Sequence, residues 1–446
     1  MIGAQFNGSE LNQKTIFDHP TGLFVLFFTE MWERFSYYGM RAILVLYLIS
    51  DENDKNPGLG WSNQEAIYLY GWYTALVYLA CIPGGIIGDR FLSTKNSVIL
   101  GGGFLCIGHF SLAFTNNFFF FLGLTFIIIG VGLLKPNIST LVGNLYKKND
   151  IRRDQGFTIF YIGINIGAFL ASILVGFIGE VYGWHYGFSL AGFGMLLGQI
   201  TFVSGKSKLI QITKKKLKET SSFINGSLSQ IEYDRIKLIL IASLILIIFW
   251  ASFEQAGGLL NIYAYEKTDR YLDILDFEIP ASWFQSINPL LIILLGYSVS
   301  VFWIALHKYR FLATSIFKIA VGIVIMGLGF IFMSFASLES EFYGKSAMYW
   351  LIIAYLFFTI GELCASPVIL SYITKLSPKK FTSSIMGVYF AAIGLGNKLA
   401  GTIGQNSERL GEKTIFLGIT FICLLTGLIV ILFHEKLNNL SHGIDN

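Results

Sequence analysis

Charge is what this sequence has little of. Of 446 residues, 32 are Lys or Arg and 28 are Asp or Glu, 13% in all, about half the share of an ordinary soluble domain. That shortage excludes a soluble globular chain, and no nucleic acid is expected among its partners. Cysteine is equally sparse. Cys81, Cys106, Cys364 and Cys423 are scattered through apolar runs at no ligand-like spacing, which reads as small buried hydrophobes. There is no HExxH, no metal-ligand cluster and no His–Ser pairing. Ser366 and Ser371 lie near Glu362, but His109 stands by itself. Neither an enzyme nor a cofactor is expected. The residues up to about Phe17 show no charged n-region and no cleavage site, so the first apolar run is expected to stay in the mature protein.

What the chain does have is apolar length. It is 54% hydrophobic and 16% aromatic, with a mean hydropathy of +0.61. Runs of about 20 apolar residues, the length needed to cross a bilayer, recur from end to end. Between polar breaks they fall near 21–49, 63–88, 97–114, 118–145, 156–179 and 187–203. A second set follows near 236–264, 282–306, 314–335, 347–374, 382–404 and 414–434. The expectation is an all-α polytopic membrane protein of twelve transmembrane helices. They form two six-helix bundles, 1–203 and 236–446, joined by a polar linker, 204–235.

The basic residues orient it. Lys14, Arg90, Lys95, Lys147, Lys148, Arg152, Arg153, the linker lysines, Lys308, Arg310, Lys379, Lys380 and Lys436 fall on one side. Lys55, Lys267, Arg270, Lys345, Arg409 and Lys413 fall on the other, among acids such as Asp51 and Asp273. The positive-inside rule then places both termini and the linker in the cytoplasm.

Against this background one stretch is anomalous. "FTEMWERFSYYGMR", Phe28 to Arg41, carries four charges inside the first apolar run. Each costs roughly 2.5–3.5 kcal/mol at the centre of a spanning helix. Glu30, Glu33, Arg34, Tyr37, Tyr38 and Arg41 follow the i, i+3, i+4, i+7 rhythm of one helical face. A polar stripe of that length has to face a cavity or opposite charges. Three more ionisable residues lie deep in spans: Lys135 in the fourth, Glu254 in the seventh and Glu362 in the tenth. Spans 1, 4, 7 and 10 are the first helices of four three-span repeats. That distribution points to a polar central cavity rather than scattered structural ion pairs. Its first half is rich in cations (Arg34, Arg41, Lys135) and its second supplies Glu254 and Glu362, a polarity suited to a small zwitterion. Lys318 and Lys398 lie nearer span ends and are expected to snorkel. "LLKPN" and "GELCASP" set prolines near Lys135 and Glu362, where bending is expected.

These residues carry a resemblance. "EMWERFSYYG" is similar to the ExxERFxYYG element of the proton-dependent oligopeptide transporters of the major facilitator superfamily, and "FYIGIN" to their FYxxIN signature. "FWASFEQAG", "WFQSINPL" and "GELCASPV" resemble their elements in spans 7, 8 and 10. The match runs over essentially the whole chain. It implies the major facilitator fold and a symporter that imports di- and tripeptides with protons, by alternating access, in the cell inner (plasma) membrane. Glu30, Glu33 and Arg34 would match the proton-coupling triplet, exchanging partners with Lys135, and Arg41 would pair with Glu254. A substrate carboxylate would meet Arg34 and Lys135. Its amino end would meet Glu362, with Asn165 and Asn288 helping and Tyr37, Tyr38, Tyr78 and Trp250 lining the pocket.

The chain departs from relatives in places. Its linker is too short for two additional helices, and span 2 has no histidine. Phe253 stands where some relatives have an acid, so Lys135 is expected to lean on the span 1 glutamates. Tyr389 replaces a common tryptophan. Two other readings are a proton-coupled carrier of nitrate or another anion, and a peptide-sensing receptor that does not transport.

Overall fold

The computed structural model describes residues 15–146, 150, 152–209, 229–306, 314–378 and 381–444. Lys14, Lys147, Lys148, most of the basic linker, Lys308, Arg310, Lys379 and Lys380 lie outside them. Twelve long helical segments follow one another: α1 Thr21–Ile49, α2 Asn63–Arg90, α3 Thr94–Ser111, α4 Asn117–Asn144, α5 Arg152–Phe177 and α6 Trp184–Gly205. Then come α7 Gln230–Phe253, α8 Ile287–Leu306, α9 Ser315–Tyr343, α10 Tyr349–Leu376, α11 Thr382–Gly404 and α12 Glu412–Leu432. Nine of the described helices are long and apolar enough to cross a bilayer by composition alone. The other three are α3, α11 and the charged α1.

Several boundaries differ from the hydropathy reading. α7 begins at Gln230 rather than near 236, and α9 runs to Tyr343 rather than 335. Hydropathy sees only the hydrocarbon slab, whereas a helix continues for a turn or two wherever its ends are satisfied. At α7 they are: Ser229 and Glu232 form a capping box, with Ser229 Oγ accepting from the Glu232 N–H. So the last six residues assigned to the linker belong to helix. The seventh span is also not one helix. α7 stops at Phe253, passes through the 3-10 turn Glu254–Gly257, and resumes as Leu259–Glu266. By contrast α4 and α10 keep their helical assignment straight through Pro136 and Pro367.

Packing sorts the helices into two halves. In the first, α1 packs on α5 and α6, and α3 on α4 and α6. In the second, α9 packs on α10 and α12. The halves meet along two seams, α2 against α11 and α5 against α8. Arg152 Nη1 donates to the Asp18 carbonyl (2.8 Å) and Arg235 Nε to that of Ser441 (3.3 Å). Asp18, the start of α5, the beginning of α7 and Ser441 thus share what we call the near face. On the far face, Asn56 Nδ2 donates to the Gly179 carbonyl (2.8 Å) and the Ser346 N–H to that of Lys267 (2.8 Å). Short strand pairs, Thr268–Asp269 with Ser346–Ala347 and Tyr271–Leu272 with Phe277–Glu278, decorate that side.

The α2/α11 seam is a backbone contact. A Cβ on Gly71 would lie 2.7 Å from the Gly401 Cα, and one on Gly401 2.6 Å from the Gly71 Cα, the close approach that small residues permit between spanning helices. Gly71→Ala is therefore expected to cost about 1–3 kcal/mol through overpacking, read as a lower Tm in detergent. Gly103→Ala, whose Cβ would meet nothing within 4 Å, should leave the Tm where it is.

Candidate functional site

Between the halves lies a cavity of about 200 Å³. Its first-half wall is built by Glu30, Arg34, Tyr38 and Arg41 of α1, Lys135 of α4, and Tyr161, Asn165 and Ser172 of α5. The facing wall is Trp250, Phe253 and Glu254 at the end of α7, Gln285 and Asn288 where α8 begins, and Tyr355, Glu362 and Ser366 of α10. α1 presents its polar residues there because they share one face of an uninterrupted helix. Glu254 arrives from the other half: it caps the end of α7 with its N–H still bonded to the Trp250 carbonyl, and its carboxylate reaches across to α1.

The charges are grouped rather than dispersed. Arg34 Nε sits 2.9 Å from Glu30 Oε1 and 2.5 Å from Glu33 Oε2, all three side chains buried. Arg41 Nη1 donates across the halves to both oxygens of Glu254, at 3.0 and 3.1 Å. Tyr70 Oη of α2 donates to the same carboxylate at 2.9 Å. Asn288 Nδ2 donates to Glu362 Oε2 at 2.8 Å and to Thr359 Oγ1 at 3.1 Å. Lys135 Nζ lies over the Tyr78 ring, 3.9 Å from its centroid, an attraction for the ring face that needs no counter-charge. Among the described residues, then, Lys135 and Glu362 line the cavity without an ion pair within 4.0 Å. They stand on opposite walls.

This corrects several expectations. Among the described residues Lys135 makes no ion pair with Glu30 or Glu33 within 4.0 Å; Arg34 pairs with both carboxylates and the lysine rests on Tyr78. Glu33, Tyr37 and Tyr78 do not line the cavity; all three are buried beneath it. Asn165 does line it, but its Nδ2 is turned back to the Tyr161 carbonyl of its own helix (3.0 Å). Tyr38, Trp250 and Asn288 line it directly. Tyr389, the replacement for tryptophan, is buried against Phe390 rather than in the wall. Lys398 and Lys318 do not simply snorkel. The first lies over the rings of Tyr68 and Trp72 (4.4 and 4.7 Å) and the second over that of Trp303 (5.5 Å).

Some residues were passed over altogether. Tyr70, Tyr161, Gln285 and Tyr355 carry no formal charge, so a search for costly charges inside spans does not register them. Tyr161 was within reach, being the tyrosine of "FYIGIN". Glu180, just past the end of α5, gives no such signal because it falls where hydropathy ends the span.

Comparison with known proteins now decides the family. The PTR2 profile of the POT family matches residues 95–231 and 229–415. The peptide transporter YePEPT of Yersinia enterocolitica is 35% identical over 96% of this chain and 97% of its own. The chain belongs to the POT family. A di-/tripeptide transporter of Lactococcus lactis is 32% identical, covering 97% of this chain and 98% of that one. Among solved structures, a POT family transporter crystallised with 5-aminolevulinic acid superposes with a TM-score of 0.86 at 31% identity, over 95% of this chain and 98% of that one. The twelve-helix arrangement of this POT protein is therefore that of its solved relatives.

The Arg41–Glu254 pair yields a stability test. Removing one member strands the other as a buried, uncompensated charge at a cost of about 3–5 kcal/mol. Arg41→Ala and Glu254→Ala should each lower the Tm in detergent markedly. The double variant should fall well short of the sum of the two losses, the signature of direct coupling.

Proposed function

We propose that this POT protein is a proton-coupled symporter that imports di- and tripeptides by alternating access. It resides in the cell inner (plasma) membrane, with both termini cytoplasmic, so that the far face is the outer one. The observation that carries the reading is the pair left over in the cavity. Arg34 is paired with two glutamates and Arg41 with Glu254, whereas Lys135 and Glu362 stand on opposite walls with no partner charge within 4.0 Å among the described residues. A zwitterion placed there supplies both at once: its carboxylate meets Lys135 and its ammonium meets Glu362. A simple anion would satisfy only the first and leave a carboxylate on the opposite wall. The relatives named for peptides, and the relative crystallised with a small amino acid, support the same class of substrate.

Proton coupling follows from charge counting on α1. Glu30 and Glu33 share one guanidinium, so this trio carries one negative charge in excess, and one proton cancels it. A protonated glutamate frees part of Arg34 to turn to a peptide carboxylate beside Lys135. Substrate and proton together leave a site with fewer unpaired charges to desolvate, which lets the halves close over it and reopen on the other side. The coupling ion is the proton, and no organic cofactor enters the cycle.

The test is uptake of labelled dialanine into proteoliposomes, with and without an inward-directed pH gradient. Wild type should accumulate the peptide only with the gradient, and both Glu33→Gln and Lys135→Ala should abolish accumulation. Glu362→Gln should lower peptide uptake by about tenfold or more, the worth of one charge-assisted hydrogen bond. Binding without accumulation in the wild type would instead identify a receptor.

A further inference from the structure

Among the described residues, polar contacts between the halves gather toward the far face, and the shortest of them involves a residue outside the cavity. Glu180 follows α5 in a one-turn π-helix, Ile178–Tyr182. Its carboxylate accepts from the Ala281 N–H (2.8 Å), the Ser282 N–H (2.8 Å) and the Ser282 hydroxyl (2.5 Å). All three donors belong to the other half. They open the 3-10 turn Ala281–Ser286 that leads directly into α8. Among the described residues no cation pairs with Glu180 within 4.0 Å. Arg270, in the adjoining loop, is held by Glu278 at 2.8 Å and by the Ile279 carbonyl.

The surroundings brace this carboxylate. Asn56, in the loop after α1, donates to the carbonyls of Gly179 and Glu180 (2.8 and 3.3 Å) and accepts from the Trp184 N–H (3.2 Å). The π turn is thereby fixed to its own half. On the other side of the contact, Trp283 Nε1 donates to the Ile173 carbonyl (3.0 Å). What the carboxylate holds also matters. Gln285 and Asn288, at the end of the turn and in the first turn of α8, line the cavity, and Asn288 holds Glu362.

We propose that Glu180 is the far-face latch between the halves and a positioning residue for the cavity: closing it seats the turn that carries Gln285 and Asn288. The chemistry suits a reversible device. The bonds are charge-assisted and specific in direction, yet each partner, once the faces part, can be satisfied by water. A salt bridge with its own strong counter-charge would resist parting more, and an apolar contact would lack direction. The latch rests on the alternating-access reading only for its effect on uptake; its effect on the far face needs no substrate.

The experiment is a distance measurement between spin labels on the full-length protein in nanodiscs. Cys81, Cys106, Cys364 and Cys423 are first replaced by alanine, and labels are placed by Tyr186→Cys and Tyr343→Cys, both exposed far-face ends of helices in different halves. Glu180→Ala should raise the ratio of open to closed far faces by about tenfold or more, and Glu180→Gln, which keeps one acceptor oxygen, should fall between it and wild type. Ser282→Ala should add nothing in the Glu180→Ala background. In dialanine uptake Glu180→Gln should lower the maximal rate while changing KM less, because Glu180 touches no substrate. An unchanged distance distribution in both Glu180 variants, with the Tm retained, would overturn the latch. So would equal and additive effects of Ser282→Ala. If Glu180→Ala fails to fold, Glu180→Gln alone decides between these outcomes. A wild type that takes up no dialanine would sink the transport reading and leave the distance result to judge the latch by itself.

Discussion

A charge in a bilayer is costly unless something answers it, and Arg41 with Glu254 is where that demand shapes this molecule. The arginine comes from the first half and the glutamate from the second, so the cheapest way to neutralise either is to hold the halves together. Tyr70 adds a third grip from α2. Around this joint the far side closes. Asn261 and Gln285 donate to the Ala42 carbonyl, next in sequence to Arg41, and Asn63 pairs with Glu266. The cavity sits between the joint and the near face as the space these contacts leave.

The break in the seventh span is part of the same solution. Glu254 still follows the α-helical rotation, its N–H bonded to the Trp250 carbonyl, and the chain leaves that rotation beyond it. Glu254 reaches Arg41 from the end of that rotation, and the turn after it packs directly beneath Tyr70, where a Cβ on Gly257 would collide with the hydroxyl. Irregular backbone at membrane depth is tolerated where it is covered by protein or faces a cavity, and both conditions are met. The end of α7 thus gives one carboxylate to Arg41 and Tyr70 and joins three spans.

Neutralisation is deliberately incomplete along the cavity. Arg34 is shared by two glutamates, while Lys135 makes do with an aromatic face and Glu362 with an amide. An aromatic ring and an amide hold a charge in place without cancelling it. The charge-paired joint ties the halves together in this arrangement with the far side closed, whereas the half-satisfied groups on the cavity walls are free to exchange partners with a ligand.

Much of this was legible in the chain alone. Twelve apolar runs, the single-face spacing of Glu30, Glu33, Arg34 and Arg41, and the isolated charges Lys135, Glu254 and Glu362 are one-dimensional facts. The energy of placing charge in hydrocarbon turns them into a cavity without any coordinates. Pairing is different. That Arg41 takes Glu254, that Lys135 settles on Tyr78, and that Glu180 reaches the turn before α8 depend on which helices become neighbours and at what height. Those contacts join residues up to 213 positions apart, and the neutral members, Tyr70 and Ser282, have no hydropathic signature at all. The sequence by itself determined where charge must be hidden, because that cost is local to each helix. Only the tertiary structure decided which partner hides it, because a hydrogen bond is made by distance and direction between chains that the sequence does not place.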